Sequence, residues 1–84
     1  MDLSEEFILE LTQVQQRLFG FLFKRLADRE QAREVLQLTN LVLCRKAEQY
    51  QAGTNFKAWA MSVANYEGMA YRKTQVRERL FFSD

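Results

Sequence analysis

Asp28-Arg-Glu-Gln-Ala-Arg-Glu-Val-Leu-Gln-Leu-Thr-Asn40 is the stretch that decides the fold. Asp28 followed three residues later by Gln31 has the logic of a capping box, in which the first side chain accepts from free backbone N–H groups at a helix start. A helix therefore begins at residue 29 and runs to about Gln49, where Tyr50-Gln51-Ala52-Gly53-Thr54 interrupts it. Ala32, Val35, Leu36, Thr39, Val42, Leu43 and Ala47 recur on one face at three-to-four spacing, the stripe by which a helix joins a core. Glu34, Gln37, Leu38, Asn40, Leu41 and Cys44 fall on a second face. Leu38 and Leu41 among amides and a carboxylate are more apolar surface than one small core uses, and the mixture is a common interface composition. Either the preceding helix, with Phe19 and Phe23, wraps far enough to bury both faces, or a partner covers the second.

Upstream, Ser4 can cap a first helix, with Glu5 and Glu6 at its positive end, and Phe7, Ile8, Leu11, Val14, Leu18, Phe21, Leu22 and Leu26 follow at helical spacing. The helix spans roughly 4–27, and so short a connection to the next one makes the pair antiparallel. Downstream, Gly53 is free to adopt a turn conformation, and Thr54 or Asn55 can cap a third helix of about 55–80. Phe56, Trp59, Ala60, Val63, Ala64, Ala70 and Tyr71 form its stripe. Trp59, in line with Phe56 and Val63, reads as core before it reads as a stacking platform. The chain is thus expected to be all-α, a compact bundle of three main helices in one domain over residues 1–84. Phe81-Phe82-Ser83-Asp84 reads as the start of a further element.

Composition narrows the chemistry. Eighty-four residues bury only about 60–65% of the surface their unfolded chain exposes, so the core must be economical. A single cysteine, Cys44, allows no intrachain disulfide, and with histidine absent the usual zinc ligand sets and Ser-His-Asp or Cys-His nucleophiles are excluded. No enzyme, cofactor or metal is expected, and Glu34, Glu67 and Glu78 have no spacing that pairs them as neighbours on one helix face. With no signal peptide and no apolar run near 20 residues, a cytoplasmic location without a membrane is the default. The net charge is +1, yet residues 1–10 carry Asp2, Glu5, Glu6 and Glu10 without a cation. Residues 57–79 carry Lys57, Arg72, Lys73, Arg77 and Arg79 against Glu67 and Glu78, which marks that third as the surface for an anionic partner.

The order Asp28 to Asn40, then a helix, then Gly53-Thr54-Asn55-Phe56-Lys57-Ala58-Trp59-Ala60 and Val63-Ala64, resembles region 2 of the sigma-70 family, closest to its extracytoplasmic-function (ECF) branch. The resemblance covers about residues 7–79. It implies that the second helix docks on the clamp coiled coil of the beta-prime subunit of RNA polymerase, through Glu34, Gln37, Asn40 and Cys44 with Leu38 and Leu41 between them. Leu38 stands where the family usually has an acid. It implies further that the loop and third helix capture the non-template strand of the −10 promoter element as single-stranded DNA with a base flipped out. By position the contacts are Gln51, Thr54, Asn55, Lys57, Met61, Ser62, Asn65, Tyr66 and Met69, with Arg72, Lys73, Arg77 and Arg79 against phosphates.

Two departures accompany the resemblance. Tyr66 stands near a position the branch commonly fills with Asn, with Asn65 one residue earlier. Ser62 and Val63 align with the aromatic wedge of housekeeping members, so melting relies on base capture. An anti-sigma factor is a further partner the family implies. A complete sigma factor also has a second helical domain that 84 residues cannot hold, so the chain is expected to be an excised region or a degenerate stand-alone member. The competing reading is a helical protein-interaction domain that never touches nucleic acid. A helix-turn-helix duplex reader fits less well, since helices of about 20 residues are too long for that motif.

Overall fold

The first two helix starts read from the sequence are made by side chains. Ser4 Oγ accepts from the Phe7 amide at 3.0 Å, and Asp28 Oδ1 accepts from the Gln31 amide at 3.0 Å. The computed structural model describes residues 3–82 and contains α1 (Glu5–Leu26), α2 (Arg29–Arg45), a 3₁₀ turn (Ala47–Gln49) and α3 (Phe56–Phe82), with no strand among the described residues. Asp2, Ser83 and Asp84, which the sequence reading used, lie outside them.

α1 ends because Ala27 turns left-handed, φ 54° and ψ 28°, and its N–H closes the helix on the Phe23 carbonyl at 2.8 Å. Asp28 is already the cap of α2, so two residues reverse the chain and α1 and α2 pack side by side with α3 against both. Phe7, Val14, Leu18 and Leu22 of α1 meet Ala32, Val35 and Leu43 of α2 and Phe56, Ala60 and Ala64 of α3 in one core. Thr39, fully buried, satisfies its hydroxyl on the Val35 carbonyl at 2.8 Å. α3 presents small residues to the core, and a Cβ added at Gly68 would sit 3.4 Å from Leu22 Cδ2, so α1 lies against its backbone.

Two helix ends differ from the sequence reading. α2 stops at Arg45, four residues before the expected Gln49, and the chain tightens into the 3₁₀ turn. The cause is Tyr50, whose extended backbone and ring, stacked on Trp59 at 5.3 Å, pull the chain off the α2 axis. α3 starts at Phe56, because Asn55 is the cap: its Oδ1 accepts from the Ala58 amide at 3.0 Å. It then runs two residues beyond Leu80, past the end of the bundle, giving a body of 50 × 23 × 17 Å.

Ala27 is the only non-glycine residue with positive φ among those described. A left-handed alanine costs about 1–2 kcal/mol, whereas glycine there costs about 0.4–1 kcal/mol through the freer unfolded chain. Ala27→Gly is expected to stabilise the fold by about 0.5–1 kcal/mol, read as a rise of a few degrees in the thermal midpoint.

Candidate functional site

The second face of α2 is open. Leu38 and Leu41 are 40% and 50% exposed, with Glu34 and Gln37 exposed beside them. α1 does not wrap over it: Phe19 and Phe23 stack on each other at 5.9 Å, and Phe23 itself is 40% exposed. Three of the six residues assigned to this face are engaged within the fold: Glu34 by the Tyr71 hydroxyl of α3, and Asn40 and Cys44 toward the interior. Asn40 forms a reciprocal amide pair with Gln15 of α1, Nδ2 donating to Gln15 Oε1 at 2.8 Å and Oδ1 accepting from Gln15 Nε2 at 2.9 Å. Cys44 is half-buried against the core. The free part of the face is therefore Gln37, Leu38 and Leu41, with Glu34 at its α3 edge.

Glu34 links α2 to α3 by accepting from the Tyr71 hydroxyl at 2.7 Å. That hydrogen bond, then desolvation, then the charges of Glu34, Asp28 and Glu78, push the Tyr71 phenol up to about 12. Glu34, Glu67 and Glu78, which no helical spacing pairs, come together across α2 and α3 as the walls of an open groove with Leu38 and Ala70. Among the described residues no carboxylate group is arranged to hold a metal.

At the other end of the bundle an aromatic quartet fixes the loop. Phe7 lies edge-on to Phe56 at 5.4 Å, to Tyr50 at 6.3 Å and to Trp59 at 6.3 Å, and Tyr50 is edge-on to Phe56 at 5.1 Å. The loop also ties itself: the Thr54 amide and hydroxyl donate to the Gln51 carbonyl at 3.2 and 2.6 Å, and the Tyr50 hydroxyl donates to the Thr54 carbonyl at 3.2 Å. Gly53, at φ 89°, supplies the turn. Trp59 is half-buried within this quartet, as its place in the apolar stripe predicts. The Asn55 oxygen is committed to its cap, which leaves its NH₂ as the outward donor.

Along α3, Ser62, Tyr66, Met69 and Lys73 share the outer stripe, with Arg77 one turn on; all five are exposed, Tyr66 and Met69 by 70% and 59%. The Ser62 hydroxyl donates back to the Trp59 carbonyl at 2.7 Å. Asn65 falls toward α1, and its Oδ1 is buried without a partner, an arrangement that costs about 1–3 kcal/mol. Arg72 reaches the Arg25 carbonyl at 3.4 Å, at the negative end of α1. Lys57 and Met61 stand on the α1 side, beside Arg17 and Lys24. Of the residues the sequence singled out, α3 brings the outer stripe together and turns Asn65, Met61 and Lys57 away from it. Sequence reasoning missed Tyr50 as an anchor and Gln15 as the partner of Asn40. An aromatic at the loop entrance was the available signal for the first; nothing local marks the second.

Two mixed polar and apolar faces thus lie exposed on adjoining helices of an all-α bundle. The family model for sigma-70 region 2 matches residues 11–78, from the first third of α1 to the last turns of α3, and the chain belongs to that family. The family consists of non-enzymatic domains of transcription initiation that work with RNA polymerase and promoter DNA. No curated protein and no solved structure matches the chain.

Tyr71 also sets an alkaline limit. An unfolded tyrosine ionises near 10, so below that pH both states keep the proton and the contribution of the Glu34 hydrogen bond is intact. Between about 10 and 12 only the unfolded chain releases it, and stability is lost as pH rises. In a phenolate absorbance titration one tyrosine of the folded chain is expected to titrate near 12, and Tyr71→Phe to remove that step.

Proposed function

We propose that this chain is the promoter-melting module of an ECF-type sigma factor. In this reading α2 docks on the beta-prime clamp coiled coil of RNA polymerase, while the Tyr50–Asn55 loop and α3 capture the non-template single strand of the −10 element. The observation that carries it is the bare apolar pair Leu38 and Leu41, open beside Gln37 on the helix the family uses for docking. Leu38 forfeits the negative charge usual at its position, and Glu34, Glu67 and Glu78 in the adjoining groove supply it for a basic partner helix. Asn40 acts from behind, holding α2 to α1 through Gln15.

On the DNA side, the exposed Tyr66 ring takes a base by stacking, and Gln51 and the Asn55 NH₂ read base edges. The buried Asn65 oxygen makes stacking on Tyr66 the favoured contact of that pair. Lys73 and Arg77 meet phosphates along the outer stripe, with Arg72 contributing while it spans to α1. Ser62, bonded back to Trp59, and half-buried Val63 offer no aromatic wedge, so strand opening rests on capture of an already extruded base. A cytoplasmic site of action follows from the polymerase partner. Among the described residues no helix is long and apolar enough to cross a membrane. An anti-sigma factor would act by covering the open face of α2.

The test is a titration against a purified clamp coiled-coil fragment. Micromolar binding is expected, weakened about 30-fold or more by Leu41→Glu and about fivefold by Gln37→Ala. Asn40→Ala is expected to lower the thermal stability, by about 1 kcal/mol, more than it lowers affinity. Absence of binding by the folded wild type overturns the reading. In a parallel titration with single-stranded −10 oligonucleotide, Tyr66→Ala should weaken binding about 5- to 150-fold, the value of one stacked base at ~1–3 kcal/mol.

A further inference from the structure

At the end of α3, Val76 and Leu80 sit one turn apart, 53% and 76% exposed, and none of the assigned contacts uses either. Helical spacing sets Arg72 and Arg79 along one side of this pair and Lys73 and Arg77 along the other, all four exposed. Glu78, the one carboxylate of these turns, lies on the opposite side of the helix, in the α2–α3 groove. The carboxylate of Asp28 lines the hollow beside Arg72 and Arg79, but it is committed to capping α2. Among the described residues the one ion pair is Arg33–Glu30 on α2, so none of the four cations is neutralised within the chain.

The start of α1 is the converse. Ile8 and Leu9 are 47% and 57% exposed, exposed Glu5 lies one turn before both, and exposed Glu6 lies one turn before Leu9. No Lys or Arg precedes Arg17 in the chain. The two patches occupy opposite ends of a body 50 Å long. Phe7 packs on Phe56 where α1 and α3 begin together, whereas the basic row starts where Arg72 passes the last turn of α1. Neither patch can reach the other within one molecule, so they can meet only between copies.

We propose that this chain associates head to tail, the α3 end of one copy docking on the α1 start of a second. Val76 and Leu80 lie against Ile8 and Leu9, and the flanking cations face Glu5 and Glu6. Charge selects this occupant: two α3 ends would set cation against cation, and two α1 starts carboxylate against carboxylate, whereas the basic and acidic rows are complementary. The two patches differ, so the contact is heterologous, and a copy engaged through one end still offers the other. Four apolar side chains make a small seam, so the association is weak and develops at high concentration. Docking covers Lys73 and Arg77, so self-association and anion binding at the α3 end exclude each other. The proposal stands on these two patches alone and is independent of the polymerase and promoter reading.

Sedimentation velocity of the whole chain tests it, from about 10 μM to about 1 mM, in ~0.01 M salt where charges act over ~30 Å and in ~1 M salt where they act over ~3 Å. In low salt the weight-average mass is expected to rise with concentration past that of two chains, and in high salt to return toward that of one. Ile8→Gln with Leu9→Gln removes the α1 seam, and Val76→Gln with Leu80→Gln removes the α3 seam. Glutamine is a good helix former, so both variants should keep the helical circular dichroism of the wild type. Each alone is expected to stay a single chain where the wild type associates. Mixed in equal amounts, each supplies the patch the other lacks, and the mass should reach that of two chains and stop there.

A wild type that keeps the mass of one chain up to about 1 mM in low salt overturns the proposal. Association of the α1 variant equal to the wild type's overturns it in favour of α3 ends pairing with each other, and the same result for the α3 variant overturns it in favour of paired α1 starts. Growth indifferent to salt, or a mixture of the two variants that stays single, overturns it as well.

Discussion

The arrangement depends on the edge-to-face contact of Phe7 with Phe56, the point at which the first turn of α1 meets the first turn of α3. Around it Tyr50 and Trp59 close a quartet in which each ring touches the others, and aromatic pairs of this geometry add about 0.5–1.5 kcal/mol each beyond their burial. The quartet joins a helix start, the entrance of the loop and a second helix start, so three segments distant in sequence share one fixed point. The loop is short of hydrophobic residues and holds its shape through Thr54 and Tyr50 hydrogen bonds, but those act only because the Tyr50 ring is already seated. The result is a polar loop on an aromatic base, with its side-chain donors exposed above and its backbone tied below, which suits the base capture proposed for it.

The three helices, their antiparallel start and most of the core were legible because each depends on local rules. Ser4 and Asp28 are caps by their own chemistry, and the stripe of Ala32, Val35, Thr39 and Leu43 follows from helical period alone. The early end of α2 was not legible, because no local signal stops a helix at Arg45: the pull comes from Tyr50 stacking on a residue nine positions later. The candidate site divides in the same way. Leu38 and Leu41 could be read as surplus apolar surface from their place on the helix. Whether Asn40 faced a partner or the interior turned on Gln15, 25 residues away, and whether three glutamates formed a groove turned on how α2 lies against α3. Spacing along one helix carries no information about either.

Charge is distributed by the same packing. The α2–α3 groove collects carboxylates, the α1–α3 side collects cations, and the outer stripe of α3 carries Lys73 and Arg77. A net charge of +1 conceals this separation entirely. A chain of this size can thus offer a negative surface to one macromolecule and a positive surface to another without a large overall charge, and the two partners need not compete for the same side chains.

α3 is 27 residues long, and its last core residue facing the bundle lies near its middle; beyond Tyr71 the helix carries exposed Val76, Leu80 and basic side chains. Its turns there are held by helix propagation, which contributes little per residue in water, whereas the first half is held by the core. Opening free energy therefore declines along a single continuous helix, and amide hydrogens at its basic end exchange long before those at Ala60 and Ala64. The end that carries Arg72, Lys73, Arg77 and Arg79 is the end that can bend or unwind at small cost, so a partner bound there would complete its geometry.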